Sequence, residues 1–454
     1  MRMVRAAFFF ALAISLPAIS APAQNMPESA SAVPITGKAV PGFEEFERAV
    51  VKVIQDDHIP GAAIAFVKDG RLVYARGFGW ANEEAKQPIQ PTSVFRLASI
   101  SKSFTGIGIL KLIQEKKLCM EQKVFARPNS PSPSTDSGSC SQPILHLNPI
   151  KCSGCQLDQR IYDITVQDLM QMSGGWIDKQ QAVDVDACGV MTHGSGDWSS
   201  PERAQKALHM RSVPTRAQVI QFGISHRLNF TPGACYSYSN FNFNILGQVI
   251  QQVTGTPYAK WMEQNVLHPM GATSAHVLLY DKLLPNEVNY YRVLPDGQNR
   301  SCCLDMLRPQ IGPAGGWTAS IIDLAHVQAS LRNGIPQPNP LEPPTMTLMV
   351  SRPANPKFAG KFAYWTDGWD TVWCPPESGG PNGCTMQNAS WEKGGDFTIG
   401  TITTYSSHSN GVGYVLLFNS HTATNMPDIN RKIIGPMVRT RTDWPTWDLF
   451  KDYP

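Results

Sequence analysis

Ser99 and Lys102 stand three residues apart in Phe95-Arg96-Leu97-Ala98-Ser99-Ile100-Ser101-Lys102, ahead of a run with helical hydrophobic spacing. On a helix that spacing puts both side chains on one face, about one turn apart, with the lysine amine in reach of the serine hydroxyl. An alcohol is a weak nucleophile until a neighbour takes its proton. A lysine can do so only if burial or nearby positive charge lowers its pKa from about 10. Two more polar triplets follow downstream, Tyr238-Ser239-Asn240 and Lys393-Gly394-Gly395, the second in a strand-like segment. Together they point to nucleophilic attack by Ser99. Competing chemistries lack their residues: there is no Gly-x-Ser-x-Gly elbow, no His-Glu-x-x-His among the ten histidines and no Gly-Lys-Ser/Thr phosphate loop. The sequence therefore assigns no metal and no cofactor.

The elements that must position these residues are readable in outline. Phe43, Phe46, Val50, Val51 and Ile54 keep a helical period over 43–55. Gly61–Val67 and Leu72–Phe78 are β-rich runs joined by Lys68-Asp69-Gly70-Arg71, a hairpin signal. Ile100, Phe104, Ile107, Leu110 and Ile113 predict an amphipathic helix behind Ser99. Residues 125–160 and 176–212 are irregular and lengthen the interval between Ser99 and Tyr238; long loops on a rigid scaffold often shape the mouth of a site. Near the C-terminus, Trp391–Tyr405 and Gly413–Asn419 read as strands of a hairpin turning at Ser406–Gly411, and Asn425–Val438 as a closing helix. Strands at both ends with a helical middle predict an α+β fold: an antiparallel sheet flanked by helices, with a helical subdomain. The α/β part is expected over about 41–118 and 305–454, and the mainly helical part, with its insertions, over about 119–304.

Bulk properties narrow the function classes. The chain has 454 residues, 42% of them hydrophobic and 17% charged, which suits a packed core. A net charge of +3 gives no electrostatic reason to expect nucleic acid or an anionic membrane as partner. Arg2 and Arg5 precede an apolar run from Ala6 to about Ile19, and Ala21-Pro22-Ala23 fits a small-x-small cleavage site. Residues 1–23 thus read as an export signal and 24–40 as a flexible leader, and no later stretch is apolar enough to span a bilayer. A periplasmic or secreted location follows, and with it an expectation of disulfides among the ten cysteines. Cys374 and Cys384 bracket one loop and are expected to pair. Cys302 and Cys303 are adjacent and are expected to bond to different partners. Cys152-x-x-Cys155 reads as a structural bridge, since no second ligand pair accompanies it. The sequence assigns no oligomeric state.

With its three motifs the chain resembles the serine β-lactamase and penicillin-binding-protein superfamily, nearest its class C-like branch of esterases and D-peptidases. The likeness extends over roughly 40–430. It includes Ile59-Pro60-Gly61-Ala62-Ala63-Ile64-Ala65 with Gly70, Tyr74 and Gly77-Phe78-Gly79; Ile164-Thr165-Val166-Gln167-Asp168-Leu169 leading to Ser173-Gly174-Gly175; and Gly312 to Asp323 with Gly315-Gly316-Trp317. The resemblance implies Ser99 as nucleophile, Lys102 as holder of its proton or tuner of its neighbours, and Tyr238 as proton shuttle to the leaving group and later to the deacylating water. It implies that Asn240 orients Lys102 and the substrate amide, and that Lys393 supplies positive charge. It also implies that the N–H groups of Ser99 and of Asp396, just past Gly395, form the oxyanion hole. The chain departs from the family at Gly394, where a threonine hydroxyl commonly helps bind a substrate carboxylate, while Asp396 adds a negative charge beside the same strand. Both changes weigh against recognition of carboxylate-bearing β-lactams or D-alanyl ends and leave the acyl-transfer residues in place.

The function expected is an exported serine hydrolase acting through an acyl-enzyme on a small ester or amide, D-amino-acid peptides among them. The alternatives are a class C-like β-lactamase and a penicillin-binding or sensing protein that acylates without turnover.

Overall fold

The Asp69-Gly70 turn takes positive φ at both residues, 50° and 77°, the mirror-image geometry whose twist matches that of the flanking strands. It joins β1 (Gly61–Lys68) to β2 (Arg71–Asn82), each longer than its sequence signal. The computed structural model describes residues 33–453, apart from 131–139, 179–196, 295, 305–307, 334–338, 354–357, 359–360, 362, 376–383, 398–399 and 422–428. The expected export signal and most of the leader lie outside the described residues.

β1 is buried along almost its whole length because both of its faces are covered. Ile64 and Phe66 point to one side, where α1 (Glu44–Asp56) lays Phe46, Val50 and Ile54 against them. Ala63, Ala65 and Val67 point to the other and join the larger core. Period-2 alternation would mark a half-buried strand, so this unbroken apolar run is what two covered faces require.

Five strands of the sheet come from the distant C-terminal part. β3 (Ala363–Thr366) and β4 (Trp369–Trp373) form a hairpin, followed by β5 (Ser390–Phe397), β6 (Thr401–Ser407) and β7 (Val412–Phe418). The antiparallel order is β2-β1-β7-β6-β5-β4-β3, with the short Ile35–Thr36 and Gln87–Pro88 strands pairing with β2. The run read as a single strand from Trp391 to Tyr405 is thus two strands. Phe397 pairs back onto Thr401, and Gly400 has φ 107° in the intervening turn.

α2 (Ser101–Gln114) departs from the amphipathic expectation. From Ser101 to Leu110 every residue is buried, so the helix is enclosed on all sides. Gly106 and Gly108 make this possible: a Cβ on Gly106 would collide with the Asp367 carbonyl oxygen and one on Gly108 with Met262. Between the two halves of the sheet the chain is mainly helical, with Val166–Met170, Pro201–Ala207, Arg216–Gly223, α3 (Asn240–Thr254) and Tyr258–Met262. After the short helix Gly312–Gly315 and the strand Trp317–Ala319, α4 (Ile321–Asn333) returns to the sheet. At the C-terminal end, Ile429–Ile434 and Gly435–Thr440 are helical, as expected over 425–438, of which 425–428 lie outside the described residues.

The structure pairs Cys374 with Cys384 and Cys152 with Cys155, as the sequence suggested, and Cys119 with Cys140. His226 comes up beside the Cys152–Cys155 pair, within 4.8 Å of both sulfurs. Cys302 and Cys303 pair with each other, against the expectation of separate partners. Cys303 takes φ 79°, a backbone turn that an extended reading of the segment does not anticipate.

Candidate active site

Ser99 sits on a single 3-10 turn, Ala98–Ile100, that runs into α2. The turn is fixed from two directions. Leu97 N–H donates to the Trp317 carbonyl at 2.8 Å, and Trp317 N–H donates back to Ser101 Oγ at 3.0 Å. Ala98 holds φ 48°, a left-handed conformation that costs a residue with a Cβ about 1–2 kcal/mol. On its other side the turn lies against β5 at Gly395, where any Cβ would collide with the Leu97 carbonyl oxygen. Gly395 therefore serves the close approach of strand and nucleophile turn.

Lys102 is fully buried and its Nζ has three partners: Ser99 Oγ at 3.0 Å, Asn240 Oδ1 at 2.7 Å and the Ala314 carbonyl at 2.6 Å. None is a carboxylate. Burial pushes its pKa well below the ordinary lysine value, and the positive charge of Lys393 pushes it further the same way. A neutral amine has two N–H donors and one lone pair. In the neutral form, the pure acceptors Asn240 Oδ1 and Ala314 O would take the two donors and leave the lone pair for the Ser99 hydroxyl.

Tyr238 Oη lies 2.7 Å from Ser99 Oγ and donates to it. Burial, reinforced by the Asp370 carboxylate, holds this phenol well above its ordinary pKa, so it rests protonated. Trp365 meets the Tyr238 ring edge-on at 5.6 Å and walls that side of the site. Tyr238 and Asn240 flank the start of α3, which Asp178 caps: Ser239 Oγ donates to Oδ1 at 2.8 Å and Asn240 N–H to Oδ2 at 2.5 Å. A buried carboxylate on a helix N-terminus meets unpaired N–H groups and the positive dipole end. Burial nevertheless raises its pKa.

Lys393, on β5, is 1% exposed and forms an ion pair with Asp370 Oδ1 at 2.5 Å; Gly394 N–H donates to Oδ2 of the same carboxylate at 2.8 Å. Burial lowers the Lys393 pKa while the Asp370 charge and hydrogen bond oppose the shift. Asp396 turns its carboxylate to His421 Nε2, 3.2 Å away. All seven residues singled out from the sequence converge here. Ser99, Tyr238, Asn240, Lys393, Gly395 and Asp396 line one pocket of about 430 Å³, and Lys102 lies beneath it on Ser99 and Asn240. Sequence reasoning missed Asp178, Asp370, Trp365 and the Ala314 carbonyl. The last falls within the Gly312–Asp323 likeness, which was a usable signal; the first three belong to no motif.

Residues 46–434 match the family model described as Beta-lactamase, so the chain belongs to the Beta-lactamase family. Among curated proteins it is similar to Protein flp of Staphylococcus aureus, 25% identical over 230 residues, which are 51% of this chain and 37% of that protein. It is also similar to a D-aminopeptidase of Gluconobacter oxydans, 27% identical over 230 residues, 50% of this chain and 34% of that one. The matched stretch thus spans about a third of each relative. The fold is that of a penicillin-binding protein from Bacillus halodurans, with a TM-score of 0.61 at 17% identity over 85% of this chain and 98% of that one.

Proposed function

We propose that this chain is an exported serine hydrolase that cleaves a small ester or amide through an acyl-enzyme on Ser99. The observation that carries it is Ser99 Oγ held between Lys102 Nζ at 3.0 Å and the Tyr238 phenol at 2.7 Å. Membership of the Beta-lactamase family and the likeness to a D-aminopeptidase support hydrolysis and make D-amino-acid amides and peptides the first substrates to try.

The geometry supports a definite sequence of proton moves. Ser99 Oγ attacks the carbonyl carbon as its proton passes to the lone pair of Lys102. The new oxyanion is received by the N–H groups of Ser99 and Asp396, the second beside the Gly395 contact that brings β5 against the turn. Tyr238 gives its phenolic proton to the leaving oxygen or nitrogen as the carbonyl re-forms, and Lys102 returns a proton to Tyr238. Water then enters, loses a proton through the same two groups and releases the acid. Asn240 and Ala314 keep the Lys102 amine aimed throughout, and Asp178 keeps Asn240 in place.

Export is supported by the Arg2/Arg5, apolar and Ala21-Pro22-Ala23 pattern and by the paired cysteines. Among the described residues no helix is long and apolar enough to cross a membrane. Intact-mass analysis after mixing with p-nitrophenyl esters, D-amino-acid amides and β-lactams tests the reading. A transient acyl adduct on Ser99, with product release and none of either in Ser99→Ala, is expected. Unchanged turnover in Ser99→Ala would remove the proposal, and a permanent adduct with every compound would favour a sensor.

A further inference from the structure

Resting on the serine-hydrolase reading, we propose that Asp370 makes the Lys393 side of the Ser99 pocket a subsite for an ammonium group. The acyl donor would then be an α-amino acyl ester or amide with a free amine, not a compound bearing a carboxylate.

A bare Lys393 would be the natural anchor for a substrate carboxylate, but its charge is already paired with Asp370, whose Oδ1 takes one of its Nζ donors at 2.5 Å. The neighbouring backbone donor is spent as well, since Gly394 N–H donates to Oδ2 at 2.8 Å. A Cβ built on Gly394 would lie 3.4 Å from that oxygen, in van der Waals contact, so the carboxylate packs directly against residue 394. The Asp370 side chain remains 37% exposed beside a Lys393 that is 1% exposed. An incoming group therefore meets the acid, not the amine.

Charge across the pocket points the same way. Asp370 and Asp396 both line it. Lys393 offsets one of them, and Lys102, hydrogen-bonded to uncharged groups, lies beneath the pocket with its pKa pushed down by burial. A substrate carboxylate would enter against a like charge beside an already paired Lys393, while an ammonium would find free lone pairs on Asp370. Trp365 and Tyr238 already lie under the Lys393 cation at 5.0 and 5.8 Å, so aromatic faces at this wall suit positive charge. A purely structural countercharge would stabilise Lys393 and treat all substrates alike. Asp370 as a specificity residue must discriminate among them.

The test compares kcat/KM for three p-nitroanilides of one D-amino acid that differ only at the amine: free, N-acetylated and N-succinylated. The full-length protein is expected to prefer the free amine over the succinyl compound by at least tenfold. Asp370→Asn is expected to shrink that ratio to threefold or less, chiefly through KM. Parity or a carboxylate preference in the parent would overturn the proposal, as would a variant that slows all three equally. If Asp370→Asn does not fold, the parent's ranking decides alone. If none of the three is turned over, their protection of Ser99 from a fluorophosphonate supplies the ranking. Failure of Ser99 to take the fluorophosphonate would sink the hydrolase reading itself, whereas labelling with the wrong ranking would sink only the subsite.

Discussion

Lys102 and Lys393 are both buried amines beside the Tyr238 ring, 4.8 and 5.8 Å from its centroid, yet their surroundings are built for different charges. Lys102 is offered a serine hydroxyl, an amide oxygen and a backbone carbonyl, a set that carries no countercharge. Lys393 is offered a carboxylate at 2.5 Å, which satisfies an ammonium. Burial depresses both amines; what separates them is the partner set, and the Lys393 charge pushes Lys102 further down. The fixed charge on Lys393 helps keep Lys102 neutral, so one lysine becomes a base because its neighbour cannot.

Substitutions that treat the two lysines alike should break the comparison most sharply. An arginine keeps its proton under all ordinary conditions. Lys102→Arg is therefore expected to lower kcat/KM by about 10³-fold or more on a chromogenic ester, while Lys393→Arg, which preserves the ion pair, should cost about tenfold. Comparable losses in the two variants would contradict the division of labour. Tyr238→Phe removes a proton donor but leaves the base, so a smaller loss of about 10²–10³-fold is expected, larger for poor leaving groups than for p-nitrophenol.

The pH profile sharpens the same contrast. Protonated Lys102 cannot accept the serine proton, so kcat/KM should fall as pH drops through its depressed pKa and level off above it. In Lys393→Met the positive neighbour is gone, and the inflection should move to higher pH. An inflection that moves down would mean that Lys102 is not the titrating group.

The turn between β3 and β4 offers a parallel pair of acids. Asp370 has Lys393, whereas Asp367 is buried with no cationic partner among the described residues, and burial pushes its pKa up to about 7. Its raised pKa means that the folded state holds the proton more tightly than the unfolded chain. The associated stability is present at low pH, below the unfolded value of about 4, and is lost as pH rises through about 7. Asp367→Asn should accordingly be more stable than the parent at pH 8 by about 2–4 kcal/mol, with the gain vanishing near pH 4 in thermal melts. Asparagine also tolerates the left-handed φ of 47° at this position.

What could be read in the sequence was local or motif-borne. The Asp69-Gly70 hairpin and α1 declare themselves by spacing, the three polar motifs around Ser99 by their family resemblance, and the fold brings those motif side chains to one pocket. The misreadings have physical causes. The surface of α2 cannot be inferred from its apolar period when Gly106 and Gly108 let neighbours close on every side. The reversal before β6, where Gly400 has φ 107°, is marked in the sequence by little more than one glycine in a β-rich run. Asp178 and Asp370 carry no motif because their roles come from tertiary placement: one caps α3 from a loop 62 residues upstream of Asn240, the other crosses from β4 to β5. An acid in a loop looks like any solvated acid until its partner is placed beside it.

The most direct measurement is the rate at which a fluorophosphonate acylates Ser99, followed by intact mass and peptide mapping across pH in the parent and in Lys102→Met. A neutral Lys102 acting as base requires label on Ser99, with a rate that rises through a pKa well below 10.5 in the parent and loses that inflection in the variant. Label on another residue, or a Lys102→Met profile identical to the parent's, would contradict it.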